Sequence, residues 1–543
     1  MMDRKIWEKA EILIFCLITI VNLLPFVSLK FLPTLDGASH LSNANIINQI
    51  LFYHNDLFRQ FFQLNPEPVP NWTSHFVLAL FQLFLPAFIA EKILIVGLLI
   101  GLPFLFRRLM RTIAPQNYLY SYLIFPFTHS MFFFFGFFNF CIAVLFFLAT
   151  LNYWLHTENR PLHARKMVVL FLLVALTYFS HILVFGTLLI VIVLRIIART
   201  TADYLCKKAD VNTILKNFLR SVLSLTLVSL IPLILFIYFF YSRPSTQNIT
   251  YIVREELIKY LVNLHPLISL NPILESQHTR LFFYLLVILI GLGIISFLAR
   301  LVVSLFHKTE SPENSPRAPM SPSLHSLWLL GSLTVLFTLF LFMPDAYGDA
   351  SYTNLRLEFI FLLLTILLIS SFRIPWWIGI GAALVGLYVN ILQINFYNPN
   401  IRNLEKIAVE CNKAADYIAP NSMVLPVYCM ENWFTGHFVD YLAIDKPILM
   451  VYNYECATGF FPVVWNKEKR PNYYIGNPMN KEKYIDFTLN KGHPSKKLRY
   501  VFILGNYDPK KDGFFITLHK ILTEDFIQLY KTDICSLYQD KRP

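Results

Sequence analysis

The sequence predicts a polytopic α-helical membrane protein, N-terminus inside, that ends in an extracytoplasmic α/β domain. Three observations predict it. Hydrophobic residues make up 56% of the 543 and charged residues only 15%, where a soluble domain carries roughly a quarter charged residues. Apolar stretches long enough to cross a hydrocarbon core of roughly 30 Å recur from Ile12 to Ile394. Beyond Asn395 the character changes: Lys, Asp and Asn return, and short runs of β-forming residues replace the long apolar ones.

Hydropathy proposes about eleven spans, near residues 11–32, 91–106, 118–134, 137–155, 167–181, 183–198, 219–241, 281–304, 325–343, 357–372 and 375–394. The first follows Arg4, Lys5 and Lys9 but has no Ala-x-Ala cleavage site, so it reads as a retained helix rather than a signal peptide. The net charge of +12 does not point to nucleic acid, because the cations cluster in short segments between apolar runs. Those clusters (Arg107, Arg108 and Arg111; Arg160 to Lys166; Arg195 to Arg220; Arg300 to Arg317; Arg373) all become cytoplasmic if one apolar stretch, Trp72–Phe88, does not span. That stretch is therefore read as an interfacial or re-entrant helix. The domain reading is a bundle over 1–395, with a first external loop over 33–90, followed by an extracytoplasmic domain over 396–543.

Within the tail, strands are expected at Met423–Tyr428, Ile448–Val451, Tyr500–Leu504 and Phe526–Tyr530, with helices over Leu404–Ile418 and Thr435–Leu442. Four of the seven cysteines (Cys411, Cys429, Cys456 and Cys535) lie there without metal-ligand spacing. They are free thiols or, in an oxidising compartment, one or two disulfides. Ser311–Ser323 reads as a disordered cytoplasmic loop.

The chemistry-bearing residues sit on the outer side of this layout. Asp36, in Leu35-Asp36-Gly37-Ala38-Ser39-His40, directly follows the first helix. A carboxylate at that dielectric boundary can accept a proton from a substrate hydroxyl. His40 falls about one helical turn away. The alternative is that Asp36 simply caps the helix that follows. Arg356, after Tyr352 and Asp349, suits a lipid-linked phosphate, because a guanidinium stays charged and binds phosphate bidentately. Snorkelling at the interface explains it equally well. Arg243 and Arg280 are further cations within reach of a phosphate. Asn139 and His181 sit at outer ends of spans, where polar groups face a cavity or a packed bundle. Glu431, Trp433, His437 and Asp440 are candidates to line the tail's membrane-facing surface. There is no P-loop, dinucleotide fingerprint, HExxH or CxxC.

This set of motifs resembles the GT-C-fold membrane glycosyltransferases, among them the protein O-mannosyltransferases and the aminoarabinose transferases of lipid A, and most closely a large bacterial group of predicted members. The resemblance rests on Asp36, Gly37 and His40 in Asp-Gly-x-x-His and on Gly136 to Phe140 in Gly-Phe-x-Asn-Phe. It rests also on Tyr178 to His181, and on Pro344, Gly348 and Arg356 in a Pro…Gly…Arg loop. It implies a polyprenyl-phosphate sugar as donor and a glycan, lipid or protein as acceptor. Asp36 would act as base with His40 beside it. Arg356, Arg243, Arg280 and Tyr352 would bind the lipid phosphate, and Asn139, His181, Asp349 and His437 would line the cavity. The resemblance implies no particular cofactor and leaves a divalent cation open. The implied location is the plasma membrane, with the tail periplasmic or extracellular. A lipid or polysaccharide transporter, an O-antigen polymerase or ligase, and a membrane scaffold are the rival readings.

Overall fold

The computed structural model describes residues 4–206, 210–242, 249–306, 324–348, 350–469, 498–511 and 513–541. Arg243, Asp349 and the segment 311–323 lie outside the described residues. Among those described, nine helices are long and apolar enough to cross a membrane. They are Trp7–Val27, Ala87–Ile113, Phe138–Thr157, Ile182–Leu205, Val211–Tyr241, Pro272–Ala299, Leu324–Phe342, Thr353–Ser371 and Trp376–Tyr417. The expectation of eleven is thus corrected to nine. One of the two differences is small: Ala164–Ser180 is a regular apolar helix of 17 residues, at the short end of spanning length. The other is a change of conformation. The expected span over 118–134 is a run of tight 3₁₀ turns, Pro115–His129, with Pro126 inside and Asn117 off helical geometry. Its residues from Tyr120 to His129 are buried, as irregular backbone at membrane depth must be, because lipid offers no hydrogen-bond partners. The Trp72–Phe88 stretch forms a helix of 10 residues, Thr73–Gln82. At 1.5 Å per residue that is about 15 Å, too short to span.

The chain divides into two compact units. The first comprises Met1–Asn22, Leu98–Met131 and Phe140–Asn395. Two of its buried cations are paired with carboxylates. Arg107 Nη1 donates to Glu11 Oε1 at 2.8 Å, with a second bond between Arg107 Nη2 and Glu11 Oε2, and Arg195 Nη2 donates to Glu158 Oε1 at 2.7 Å. Such pairing is what burial of a charge demands.

The second unit comprises Leu23–Gly97, Phe132–Asn139 and Phe396–Pro543, so the early segment and the tail fold together. Its centre is a five-stranded mixed sheet in the order Ile448–Met450, Ser422–Tyr428, Tyr500–Leu504, Cys535–Asp540, Phe526–Lys531. The first three strands run parallel and the last two join antiparallel. Ser422–Tyr428 and Tyr500–Leu504 are buried on both faces, which is why they read as continuous apolar runs rather than alternating ones. A second ladder pairs Phe62–Leu64 with Val463–Trp465, tying the early segment to the tail. All seven cysteines are free thiols, with Cys411, Cys456 and Cys535 buried.

A buried histidine–glutamate cluster as candidate functional site

The helix Gly37–Leu51 begins the site. It is buried from Gly37 to Ile50, and the tight turn that leads into it is fixed by the backbone. Leu35 N–H donates to Phe134 O at 3.2 Å, Asp36 N–H to Phe135 O at 3.0 Å, and Gly37 N–H to Thr34 Oγ1 at 3.0 Å. Gly136 makes this approach feasible. It has φ +74°, and a Cβ there would lie 2.8 Å from Gly37 N and 3.1 Å from Asp36 N. The Gly-Phe-x-Asn-Phe segment thus braces the Asp36 turn directly.

Asp36 occupies the N-cap position of this helix, yet its side chain makes no capping hydrogen bond. Its carboxylate bonds instead with the Tyr454 hydroxyl and lies 3.8 Å from His437 Nε2, with the Asp36 side chain 13% exposed. His437 stacks on the Tyr454 ring at 4.3 Å. Burial lowers the His437 imidazole to about 4; the charge of Glu455 opposes this and that of His40 adds to it. His437 is therefore neutral at pH 7.

One turn along, His40 meets two residues that sequence reasoning did not select, His75 and Glu455. His40 Nδ1 lies 3.0 Å from Glu455 Oε1 and 3.1 Å from His75 Nε2, and His75 Nε2 lies 2.9 Å from Glu455 Oε2. All three side chains are at most 4% exposed, walled by Phe138 and Phe461. The outward nitrogens are already committed. His40 Nε2 bonds the Gly136 carbonyl at 2.9 Å, and His75 bonds the backbone of Asn71. With those protons held outward, each imidazole turns a lone pair toward Glu455. Asn43 Nδ2 donates to Glu455 Oε2 at 2.5 Å and is itself held by Asn453 Nδ2 at 2.7 Å.

Two imidazole nitrogens 3.1 Å apart, each about 3 Å from a different oxygen of one carboxylate, need a cation among them in a dry pocket. A proton is one solution. Burial alone would lower His40, but the charge and hydrogen bond of Glu455, with help from Asp36 and the Gly136 carbonyl, raise it above its ordinary value. Burial and the charge of His40 lower His75. Burial would raise the Glu455 carboxyl, yet the two histidines outweigh it and hold it below the carboxylate range. The other solution is a divalent metal. Among the described residues His40, His75 and Glu455 form a group that could hold one. The donor chemistry fits: neutral imidazoles whose outer N–H bonds a backbone carbonyl are the usual form of metal-ligating histidine.

The remaining expected residues divide between the two units. Asn139 is engaged at both ends of its amide: its Oδ1 accepts from Ser74 N–H at 2.8 Å and its Nδ2 donates to Asn71 O at 3.0 Å. It pins the start of the Thr73–Gln82 helix that carries His75. Asp440 is buried; Ser39 Oγ and the Tyr452 hydroxyl both donate to its Oδ2. Arg356, Tyr352, His181 and Arg280 belong to the first unit. There Arg356 donates to Ser351 O and lies 5.9 Å from the Phe140 ring, which His181 meets edge-on at 5.4 Å. Tyr352 is in the left-handed region, φ +62°, and its carbonyl accepts from Arg356 N–H at 3.1 Å. Arg280 is exposed and donates from Nε to Asn263 Oδ1 at 2.6 Å.

No family model and no curated protein sequence matches the chain. Among solved structures it is similar to ArnT from Cupriavidus metallidurans in the apo state, at 12% identity over 98% of this chain and 98% of that one, with a TM-score of 0.43. It is similar also to ArnT from the same organism bound to undecaprenyl phosphate, at 12% identity over 97% and 98%, with a TM-score of 0.41. At those TM-scores the likeness carries no functional argument.

Proposed function

We propose that this protein is a GT-C-type integral membrane glycosyltransferase that moves a sugar from a polyprenyl-phosphate donor to a cell-envelope acceptor with inversion. One observation carries the reading. Asp36, in the Asp-Gly-x-x-His motif, leaves its capping position unused and presents a partly exposed carboxylate beside a buried His–His–Glu cluster. An ordinary helix cap accepts a backbone N–H of the first turn; this one does not.

The chemistry follows from that carboxylate. Asp36 accepts the proton of an acceptor hydroxyl as its oxygen attacks the anomeric carbon. The bond from that carbon to the lipid-phosphate oxygen breaks, inversion results, and polyprenyl phosphate leaves with the electron pair. Neutral His437 and the Tyr454 hydroxyl orient Asp36. Arg356, Arg280 and Arg243 are the proposed cations for the lipid phosphate, with Tyr352 beside Arg356. No nucleotide is needed, in keeping with the absence of phosphate-binding loops. In this reading the second unit is extracytoplasmic and the donor arrives from the outer leaflet.

His40, His75 and Glu455 are the proposed holders of a divalent cation. One ligand atom from each of the three lies within 4.8 Å of the others, close enough for a single ion to be shared among them. Two imidazole nitrogens and one carboxylate would suit a first-row transition metal. When bound, such an ion supplies fixed positive charge close to Asp36.

The test is the envelope glycan profile, by mass spectrometry, of cells carrying the wild type, a deletion, or Asp36→Ala at matched expression. Loss of one and the same sugar in the deletion and in Asp36→Ala supports the proposal. A profile changed by the deletion alone removes Asp36 from the chemistry and favours a transporter or scaffold.

A further inference from the structure

The cation-rich end of the first unit holds a cavity that no residue of the proposed chemistry lines. It measures about 320 Å³ and is walled by Trp7, Gln116, Tyr118, Leu119 and Trp376, at the lower end of the roughly 300–1,000 Å³ of ligand pockets. Three elements build it. Trp7 starts the helix Trp7–Val27, Trp376 starts Trp376–Tyr417, and the other three residues belong to the 3₁₀ run Pro115–His129. All lie in the first unit. The wall is open to a ligand: Trp7 is 42% and Trp376 67% exposed.

The charge beside it is unbalanced. Glu11, about one helical turn after Trp7, gives both its oxygens to Arg107: Nη1 donates to Oε1 at 2.8 Å and Nη2 to Oε2. Arg111 is left 3.9 Å from Glu11 Oε2, with its side chain 40% exposed. That distance is beyond hydrogen-bond reach. Both guanidiniums lie 5.4 Å from the Tyr118 ring. One carboxylate thus answers two guanidiniums, and the more exposed of them stands on the cavity's tyrosine. Among the described residues no Asp or Glu lines the cavity.

These features select among ligands. An accessible guanidinium stays charged and binds phosphate bidentately, so it calls for an anion. Indole rings at the membrane interface are apolar in body with one polar N–H, and suit a glycerol backbone and the first methylenes of an acyl chain. A quaternary ammonium also suits an aromatic wall. Here it is disfavoured, because Arg107 and Arg111 already lie against the Tyr118 ring and repel a third cation. The positive-inside pattern puts both arginines on the cytoplasmic face, where basic pockets between spanning helices bind acidic headgroups. We propose that this cavity holds the headgroup of one anionic phospholipid of the cytoplasmic leaflet. The site is independent of the transferase reading: a chain without that activity would still bind the lipid here.

Native mass spectrometry of the full-length protein, delipidated in detergent, tests it with phosphatidylglycerol, phosphatidylcholine and inorganic phosphate as probes. Wild type should retain one phosphatidylglycerol about fivefold or more tightly than phosphatidylcholine, and Arg111→Gln and Trp7→Ala should each weaken it about fivefold. Arg165→Gln, which removes an exposed cation outside the cavity, should leave retention unchanged. Trp7 and Arg111 are exposed enough for their variants to keep the fold, which thermal unfolding checks. Retention unchanged in Arg111→Gln or Trp7→Ala overturns the proposal. So does an equal loss in Arg165→Gln, which marks general charge attraction. Equal retention of phosphatidylcholine makes the wall a choline cage, and displacement of the lipid by an equal concentration of inorganic phosphate makes it a soluble-anion site; either overturns the proposal too.

Discussion

Replacing Glu455 by Gln is the sharpest perturbation of the buried cluster, because it removes one negative charge and almost no volume. In the metal-free protein Glu455 neutralises a raised His40 across 3.0 Å and holds His75 across 2.9 Å, with every side chain at most 4% exposed. Removing one partner of a buried pair costs about 3–5 kcal/mol, because the other is left uncompensated. At 1.4 kcal/mol per decade that is roughly two to three and a half orders of magnitude in the folding equilibrium constant. Metal binding suffers separately. Loss of a second-shell partner typically costs about 10–100-fold in affinity, so loss of a ligand together with its charge should exceed about 100-fold. The assay has two arms on purified protein in detergent after chelation: the thermal midpoint without metal, and a titration with Mn²⁺ followed by equilibrium dialysis. Glu455→Gln should lower the midpoint and abolish stoichiometric Mn²⁺ binding, while Glu455→Asp should restore part of each. A midpoint and a Mn²⁺ affinity both equal to wild type would refute the reasoning for both forms of the cluster. Failure of wild type to bind Mn²⁺, with the midpoint still lowered in the variant, would leave only the proton-held form.

Gly136→Ala should destabilise by about 1–3 kcal/mol for the left-handed backbone alone. It should also reduce sugar transfer, since the added methyl meets Gly37 N at 2.8 Å; wild-type transfer and wild-type thermal unfolding would contradict the bracing role. Asp440 yields a pH prediction. Burial pushes its carboxyl up from 3.8 to about 7; hydrogen bonds from Ser39 and Tyr452 oppose the rise and the charge of Glu455 adds to it. A raised carboxyl binds its proton more tightly in the folded state, so this group's contribution to stability falls as pH climbs from about 4 to about 7 and then levels off. Denaturation midpoints at pH 4.5, 6 and 7.5 should show a weaker decline in Asp440→Asn than in wild type. Parallel curves would mean that Asp440 does not titrate there.

Some of this was legible in the sequence. Four of the five strands of the main sheet are legible as β-forming runs: three are buried on both faces and so continuously apolar, and the fourth, Phe526–Lys531, is a mostly exposed edge strand whose Phe, Ile and Tyr favour β structure. The fifth, Cys535–Asp540, carries Ser, Gln and Asp and escaped notice, as did the helix Gly513–Asp525. Apolar content predicts a span over 118–134 where the chain forms the 3₁₀ run Pro115–His129, because it reports burial and says nothing of whether the turns are α or 3₁₀. Asp36 and His40 were found through local spacing, with Asp36 at a helix start and His40 one turn on. His75 and Glu455 were not. Glu455 lies 380 positions from His75, and His75 lies 35 from His40, distances over which no periodicity operates. The available signal was a single acidic residue within Val451-Tyr452-Asn453-Tyr454-Glu455-Cys456, an otherwise uncharged run. An acid there is costly unless paired.

The central claim is that Asp36 takes the acceptor proton during sugar transfer from a polyprenyl-phosphate donor. The most direct measurement is release of polyprenyl phosphate, by mass spectrometry, from proteoliposomes holding purified protein and the lipid-linked sugars extracted from the source membranes. Wild type should release it in step with acceptor glycosylation, and Asp36→Asn should be slower by about 10²–10⁴-fold with Mn²⁺ binding unchanged. Turnover by Asp36→Asn at the wild-type rate would contradict the account.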